Sequence, residues 1–369
     1  MTEQRTSGSG STSEDGLGQP SQAKAERGSR SIKCVVWDLD NTLWNGILLE
    51  GDRLELREDA VEIIKVLDER GILHSIASRN DPERALEQLK AFGLQDYFLH
   101  PQIGWNAKSS SVKRIAAEIN IGLDALAFID DQPFEREEVN FSLPDVLCLD
   151  VADLARVPAM PEFNPRFVTS DARLRREMYQ RDVDRKVARE QFVGTEEDFL
   201  ASLGMVFTLG PAKKDDLMRV EELTLRTNQL NSTGYTFSYE ELDRLRCSPD
   251  HKLLIAGLTD RFGSYGKIGL AVLECAEGVW AIKLLLMSCR VISRGVGTIM
   301  LNHIMRLAQG AGVRLVAEFI ATERNRMMYI TYKFAGFKGA GTREGVELLE
   351  CELSRAQPLP AYVQLQLED

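Results

Sequence analysis

The sequence has no C-x-x-C pair, no long apolar run and no excess of positive charge, and each absence removes a class of function. Its six cysteines, Cys34, Cys148, Cys247, Cys275, Cys289 and Cys351, are scattered, so neither a zinc site nor a disulfide framework is expected and free thiols are the default. No stretch approaches the ~18 apolar residues of a membrane helix, so no membrane association is expected. A net charge of −11 argues against nucleic acid as a partner. After Met1, residues 1–30 carry Leu17 as their one large aliphatic side chain. They are expected to form a disordered leader, and the lack of an apolar signal segment points to a cytoplasmic location.

What is present is organised around VVWDLDNTLW, residues 35–44. An apolar strand predicted over 32–37 ends in Asp38-x-Asp40, followed by Thr42, and period-2 geometry sets both carboxylates on one side. Two like charges held so close call for a cation or a phosphoryl group between them. At 369 residues the chain is too long for one ordinary core, and two domains are expected. Over 31–150, strands at 32–37, 72–77, 125–129 and 146–149 alternate with helices near 58–70, 82–92 and 109–119, the pattern of a doubly wound parallel sheet. Ligands of such a sheet sit beyond the C-terminal strand ends. There lie Asp38 and Asp40, then Ser78-Arg79-Asn80, then Asp130-Asp131, with Lys108 just before a helix start. This constellation suits phosphoryl transfer: one carboxylate attacks phosphorus, another handles the leaving-group proton, Mg²⁺ offsets charge, and Lys and Ser hold oxygens.

These segments resemble the motifs of the haloacid dehalogenase superfamily: WDLDNTLW the first, ASRND the second, Lys108 the third and FIDDQPFEREEV the fourth. The resemblance implies Asp38 as nucleophile and Asp40 as general acid/base whose backbone carbonyl reaches the metal. It implies Asp38, Asp130 and the adjacent Asp131 around Mg²⁺, and Ser78 and Lys108 on phosphate, with Thr42, Arg79 and Asn80 alongside. No large cap insertion separates the motifs.

Residues 151–204, rich in proline and then charge, read as a solvated helical linker. From 205 to 355 a mixed α/β pattern follows, with strands at 205–209, 252–258, 267–274, 279–287, 313–319 and 346–353 and helices near 214–225, 296–309 and 325–335; 356–369 reads as a tail. Arg294-Gly295-Val296-Gly297 opens a helix after a strand, which suits backbone N–H groups receiving a phosphate, and equally an ordinary helix start. Cys289 follows an apolar strand beside Arg290; cationic neighbours and a helix N-terminus would favour a thiolate, while a buried strand cysteine reads as well. The second half resembles the GNAT acyltransferase fold through Asn325, Tyr332, Gly336 and Phe337, an N-x₆-Y-x₃-G-F run, although Ile299 stands where the phosphate loop takes Gly or Ala.

The combination resembles the FkbH-like family of polyketide pathways, further marked by RTNQLN (226–231), DRFGSYGKIG (260–269) and MSCRVISRGVG (287–297). That resemblance implies a glyceryl transferase/phosphatase. Its substrate would be D-1,3-bisphosphoglycerate, its glyceryl group would rest on Cys289 as a thioester, and its partner would be an acyl carrier protein. Arg290, Arg294, Gly295, Gly297 and Asn325 would face the phosphopantetheine arm or the carrier, with Arg324 a further docking candidate. The alternatives are an Mg²⁺-dependent phosphatase fused to an acetyl-CoA-dependent N-acetyltransferase, and a non-catalytic adaptor, which would need none of the acidic constellation.

Overall fold

A computed structural model of the protein describes residues 30–227, 229–355 and 358–368. The leader expected over 1–30 lies, Arg30 apart, outside them. Among the described residues the chain forms two large sheets and a two-stranded one.

The first sheet is parallel, in the order β5-β4-β1-β6-β7, built from β1 (Cys34–Trp37), β4 (Leu73–Ser78), β5 (Gln102–Ile103), β6 (Leu126–Asp130) and β7 (Leu147–Asp150). A small hairpin of β2 (Trp44–Asn45) and β3 (Glu55–Leu56) follows β1. The helices are α1 (Glu58–Glu69), α2 (Pro82–Ala91), α3 (Lys108–Ile119) and α4 (Pro133–Ser142). β1 is central and fully buried: Val35 and Trp37 face one core and Cys34 and Val36 the other, as a parallel sheet covered on both faces requires. Asp81 starts α2 by accepting from the Arg84 N–H (2.9 Å), with Pro82 in its first turn. The helix α4 is not legible in the residue pattern, because it buries only Glu135 and Val139.

The chain then runs through α5 (Ser170–Arg173), α6 (Arg175–Gln191) and α7 (Glu196–Ser202). α6 is not the solvated connector expected. Arg175, Met178 and Arg185 are buried in it, and Arg185 grips Asp260 through two hydrogen bonds (2.8 and 2.9 Å) while lying over the Tyr265 ring. Part of the segment's charge thus serves buried ion pairs at a junction.

The second sheet is mixed, in the order β13-β14-β12-β11-β10-β9-β8-β15. Its strands are β8 (Met205–Pro211), β9 (His251–Asp260), β10 (Gly263–Ala276), β11 (Val279–Met287), β12 (Arg314–Phe319), β13 (Phe337–Arg343), β14 (Val346–Cys351) and β15 (Val363–Leu367). Its helices are α8 (Leu217–Arg226), α9 (Tyr239–Cys247), α10 (Val296–Gly310) and α11 (Arg326–Phe334). α8 and α9 pack on one face through Leu270 and Val272, and α10 on the other through Ala271 and Leu273. The expected C-terminal tail is corrected: β15 pairs in parallel with β8 from Val363↔Met205 to Leu367↔Leu209. Its partner lies far back in the chain, so the short VQLQL alternation alone did not reveal it. The edge strand β13, glycine-rich and exposed after Phe337, and the polar α9 escaped the sequence for want of an apolar face.

Trp37 is held by His74, whose Nδ1 accepts from the indole Nε1–H (3.0 Å), which leaves Nε2–H to donate to the Ile64 carbonyl (3.1 Å). Burial pushes the His74 pKa down from 6.5 to about 3. Between those values the unfolded chain binds a proton at this position and the folded chain does not. The stabilisation is therefore complete above pH 6.5 and is lost as pH falls, by about 1.4 kcal/mol per unit at most. Urea midpoints measured from pH 7 to 5 should fall in the wild type, and His74→Gln should flatten that slope; an unchanged slope would remove His74 as the cause.

Candidate active site

At the C-terminal ends of β1, β4 and β6 the expected residues meet. Asp38, Asp130 and Asp131 each bring a carboxylate oxygen within 4.8 Å of the others, and the first two are buried. Lys108, at the start of α3, donates to Asp38, to Asp130 Oδ2 (3.0 Å) and to the Ala77 carbonyl (2.9 Å). Burial would lower its pKa, but the two carboxylates outweigh that and raise it. Burial, with the Asp38 charge added, pushes Asp130 up to about 6 against the pull of Lys108. The donor set is all oxygen, dense in negative charge and shielded from water, which suits Mg²⁺.

Asp40 turns away from that trio. Its carboxylate accepts from Trp44 Nε1 (2.8 Å), the Leu48 N–H (3.2 Å) and Asn80 Nδ2 (2.9 Å). Burial raises its pKa in spite of these bonds, which suits a group that must hold and release a proton. Asn80 is thus a holder of Asp40; its Oδ1 is taken by the Asp81 N–H (3.0 Å). Thr42 accepts from the Asp131 N–H (3.0 Å) and pins that turn. Ser78 is buried at the end of β4. Arg79 points to Glu135 (3.2 Å) rather than into the carboxylate group. Trp44, within the same motif, was given no duty from the sequence; its spacing of four from Asp40 was the available signal.

A second site lies at the opposite end of β1. A cavity of about 430 Å³ opens between α6, the end of α3 and the start of the second sheet's α10 region, with Cys289, Arg290 and Arg294 on its wall. The expected low thiol pKa is corrected. Burial raises that of Cys289, while Lys33 and the backbone N–H groups of Gln229, Cys289 and Leu230 oppose the rise. No α-helix begins at the thiol, because a 3₁₀ turn, Cys289–Arg294, intervenes before α10. Arg290 donates to the Tyr265 carbonyl (2.6 Å) and lies over the Tyr179 ring. Arg290 Nη1 and Arg294 Nε are buried without a hydrogen-bond partner among the described residues. Lys33 stands just before β1, in the other sheet, so its contribution was not legible from the neighbours of Cys289 in the sequence.

The remaining candidates have other duties. Gly295 has φ +72°, which a turn into α10 needs. Gly297 is buried, and a Cβ there would meet Met287 and Thr331 side-chain atoms at 2.9 Å. Asn325 is a buried turn holder: its Nδ2 donates to the Asn231 and Ile320 carbonyls (3.0 and 2.9 Å) and its Oδ1 accepts from the Thr322 N–H (2.9 Å). The Asn325 side chain is thus engaged within the chain and not free to meet a phosphopantetheine arm. Arg324 reaches Asp124 at 3.7 Å. Strands β11 and β12 pair only over Val279–Ile282 and Arg314–Ala317 and then part. The chain fills that opening itself: the Met287 N–H donates to the Leu230 carbonyl (2.9 Å), the Ser232 N–H to the Leu285 carbonyl (3.0 Å) and the Ile320 N–H to the Ser232 carbonyl (3.0 Å).

No protein-family model matches the chain, and no curated protein does. Among solved structures it is similar to the N-terminal part of the protein BF1531 from Bacteroides fragilis, which contains a phosphatase domain complexed with Mg, at 28% identity and TM-score 0.31. That match covers 34% of this chain and 38% of that one. It is similar also to the ribosomal-protein-S18-alanine N-acetyltransferase from Escherichia coli (16% identity, TM-score 0.30, 39% of this chain and 90% of that one). A third is the PaiA N-acetyltransferase from Thermoplasma acidophilum in complex with coenzyme A (15% identity, TM-score 0.32, 39% and 98%). The fold class is a doubly wound five-stranded parallel sheet followed by an eight-stranded mixed α/β sheet with helices on both faces. At these scores the likeness concerns chain path, and what the sites can do is read from their own side chains.

Asp38→Asn, near-isosteric, should leave the fold intact and reduce phosphate release by several orders of magnitude, the usual result of removing a nucleophile. Phosphate release at saturating substrate within threefold of wild type would remove Asp38 from that role.

Proposed function

We propose that the chain is a bifunctional enzyme of the FkbH-like kind, an Mg²⁺-dependent phosphatase joined to a cysteine acyltransferase. In this reading it takes D-1,3-bisphosphoglycerate, removes phosphate and delivers the glyceryl group to the phosphopantetheine thiol of an acyl carrier protein. One observation carries it: a shielded carboxylate–lysine cluster and a cysteine-bearing cavity with unpartnered arginine nitrogens stand at the two ends of the same strand.

At the first site an Asp38 oxygen attacks the phosphorus of the phosphate ester while Asp40, whose proton affinity burial raises, gives a proton to the departing alkoxide. Lys108 holds the phosphoryl oxygens, and Ser78 stands at the same rim. Mg²⁺, when bound by Asp38, Asp130 and Asp131, would supply neutralisation of phosphoryl charge. Water, deprotonated by Asp40, then releases phosphate and restores Asp38. At the second site the acyl phosphate is already activated. The Cys289 thiolate forms the C–S bond as the C–O bond to phosphate breaks, and Arg290 and Arg294 offer partners to the leaving oxyanion.

The second reading is a phosphatase joined to an acetyl-CoA-dependent N-acetyltransferase. The sheet order of the second unit, the parting of β11 and β12 and the Gly295 turn into α10 support it. Against it, the backbone groups that the parting would offer to a ligand's amides are used by Leu230 and Ser232.

Intact-protein mass spectrometry after incubation with D-1,3-bisphosphoglycerate separates the two. The first reading expects a base-labile acyl adduct on the wild type and none on Cys289→Ser, a change that should cost no more than about 1–2 kcal/mol of stability. Turnover of acetyl-CoA with no adduct would favour the second reading instead. Exhaustive chelation should abolish phosphate release in either case; release that survives it would exclude Mg²⁺ from the mechanism.

A further inference from the structure

We propose that Arg79, held in place by Glu135, is the leaving-group subsite of the phosphatase centre and receives a second anionic group, a carboxylate or an acyl phosphate, on the alcohol part of the phosphate ester. The inference rests on the phosphatase half of the reading above and adds to it a binding residue, Arg79, and a positioning residue, Glu135.

The strand order sets the pair over the nucleophile. β1 lies between β4 and β6, and Trp37 is level with Ile76 of β4 and with Ile129 of β6. Asp38 is therefore level with Ala77 and Asp130, and Arg79 leaves the sheet two residues, about 7 Å, beyond it. Leu73 and Ala77 share a core with Cys34 and Val36, and the alternation of side chains carries that face on to Arg79 and Asp38. Glu135 stands in the first turn of α4, which follows β6, and its neighbour Arg136 ties that turn to the Asp130 carbonyl (2.8 Å). The ion pair between Arg79 and Glu135 Oε1 (3.2 Å) thus crosses the end of β1, from the strand on one side to the helix that follows the strand on the other.

The two side chains make a cation that is held but not filled. Glu135 is 5% exposed, and its Oε2 is buried without a hydrogen-bond partner among the described residues, so Arg79 is the group that compensates its charge. The Arg79 side chain is 41% exposed and forms that one ion pair among the described residues. The contact takes one guanidinium nitrogen, and the other N–H donors of the fork remain for a ligand. The neighbouring cations are engaged: Lys108 with Asp38, Asp130 and the Ala77 carbonyl, and Arg136 with the Asp130 carbonyl and Asp150.

The charge of the centre gives Arg79 its task. Asp38, Asp130 and Asp131 face one lysine, with Asp40 beside them, and Asp38, Ser78, Lys108 and Asp130 are all buried. The phosphoryl group enters that cluster, so the alcohol part of the ester projects past the rim. A neutral alcohol passes the acidic rim without penalty. A carboxylate is repelled there unless a cation meets it, and a guanidinium fork supplies both the charge and the geometry. Glu135 orders the long arginine side chain before substrate arrives, which lowers the entropic cost of that contact.

Two phosphate esters that differ at one carbon make the test. 3-Phospho-D-glycerate carries a carboxylate where glycerol 3-phosphate carries a hydroxymethyl group. Initial rates of phosphate release are measured on the full chain with Mg²⁺. The wild type should favour the carboxylate ester on the order of tenfold or more in kcat/KM. Arg79→Gln should lower kcat/KM for 3-phosphoglycerate on the order of tenfold more than for glycerol 3-phosphate, through KM rather than kcat, and Arg79→Lys should recover part of the difference. Glu135→Gln, which keeps the arginine charge and loosens its hold, should narrow the preference severalfold, again through KM. Arg79→Gln leaves Glu135 buried and unpaired, so the double variant Arg79→Gln/Glu135→Gln, with neither charge, carries the same comparison should the single one misfold. A wild type indifferent to the carboxylate, or an Arg79→Gln variant that loses both esters in parallel, overturns the proposal. p-Nitrophenyl phosphate separates the subsite from its premise. Hydrolysis of that ester with no discrimination between the two glyceryl esters sinks the subsite alone; phosphate release from none of the three sinks the phosphatase reading and the subsite with it.

Discussion

A buried carboxylate, Glu222, holds the two sheets in register with one another. It accepts from Arg175 Nη2, from Arg219 Nη1 (2.8 Å) and from Thr169 Oγ1 (2.9 Å). Burial would raise its pKa, but Arg219, Arg175 and Arg226 hold it well below the usual carboxylate range. Arg175 carries the link onward, donating to the Gly71 carbonyl (2.8 Å) at the edge of the parallel sheet. Gly71 must be glycine: its φ is +72°, and a Cβ there would lie 2.3 Å from Arg175 Nη1. Removing one member of such a network leaves an uncompensated buried charge, at a cost of about 3–5 kcal/mol. The junction is therefore specific in geometry and intolerant of partial loss.

That junction sets the environment of the cavity that bears Cys289. α6 lies along it, tied to the first sheet by Arg176 on Asp68 (2.9 Å) and to the second by Arg185 on Asp260. With α6 fixed, the cavity closes over Cys289 and the start of β1 comes against the end of α8. Burial raises the pKa of the thiol, and the charge of Lys33, from the other sheet, opposes that rise.

The two lysines that bracket β1 show how one residue type is set to two tasks. Lys108 sits between Asp38 and Asp130, and their charge outweighs burial and keeps it an ammonium. Lys33 has no such ion pair among the described residues, and burial, with Arg226 and Arg175 added, brings its pKa down to about 8. The difference is the sign of the surrounding charge.

The parallel sheet and its acidic rim were legible in the residues because they depend on local spacing. A strand of apolar residues ending in Asp38-x-Asp40, and later strands ending at Ser78 and Asp130, converge once the sheet is parallel, since every strand then ends on the same side. The helices with a clear apolar stripe were legible for the same reason, whereas α4, α9 and β13 bury too little to leave a periodic trace. The duties of Asn80, Gly297 and Asn325 were not legible, because each depends on which atoms lie within about 3 Å, and a motif records residue type only. Nor was the place of 363–367 in the sheet, whose partner strand is remote. The state of Cys289 is the sharpest case. Its sequence neighbours, Arg290 and the glycine-rich helix start, indicated a thiolate; tertiary structure buried the sulfur, turned Arg290 to Tyr265 and brought Lys33 instead. Residue identity settles which chemistry is available, but a pKa follows from burial and from charges across space, and those exist only once the two sheets have met.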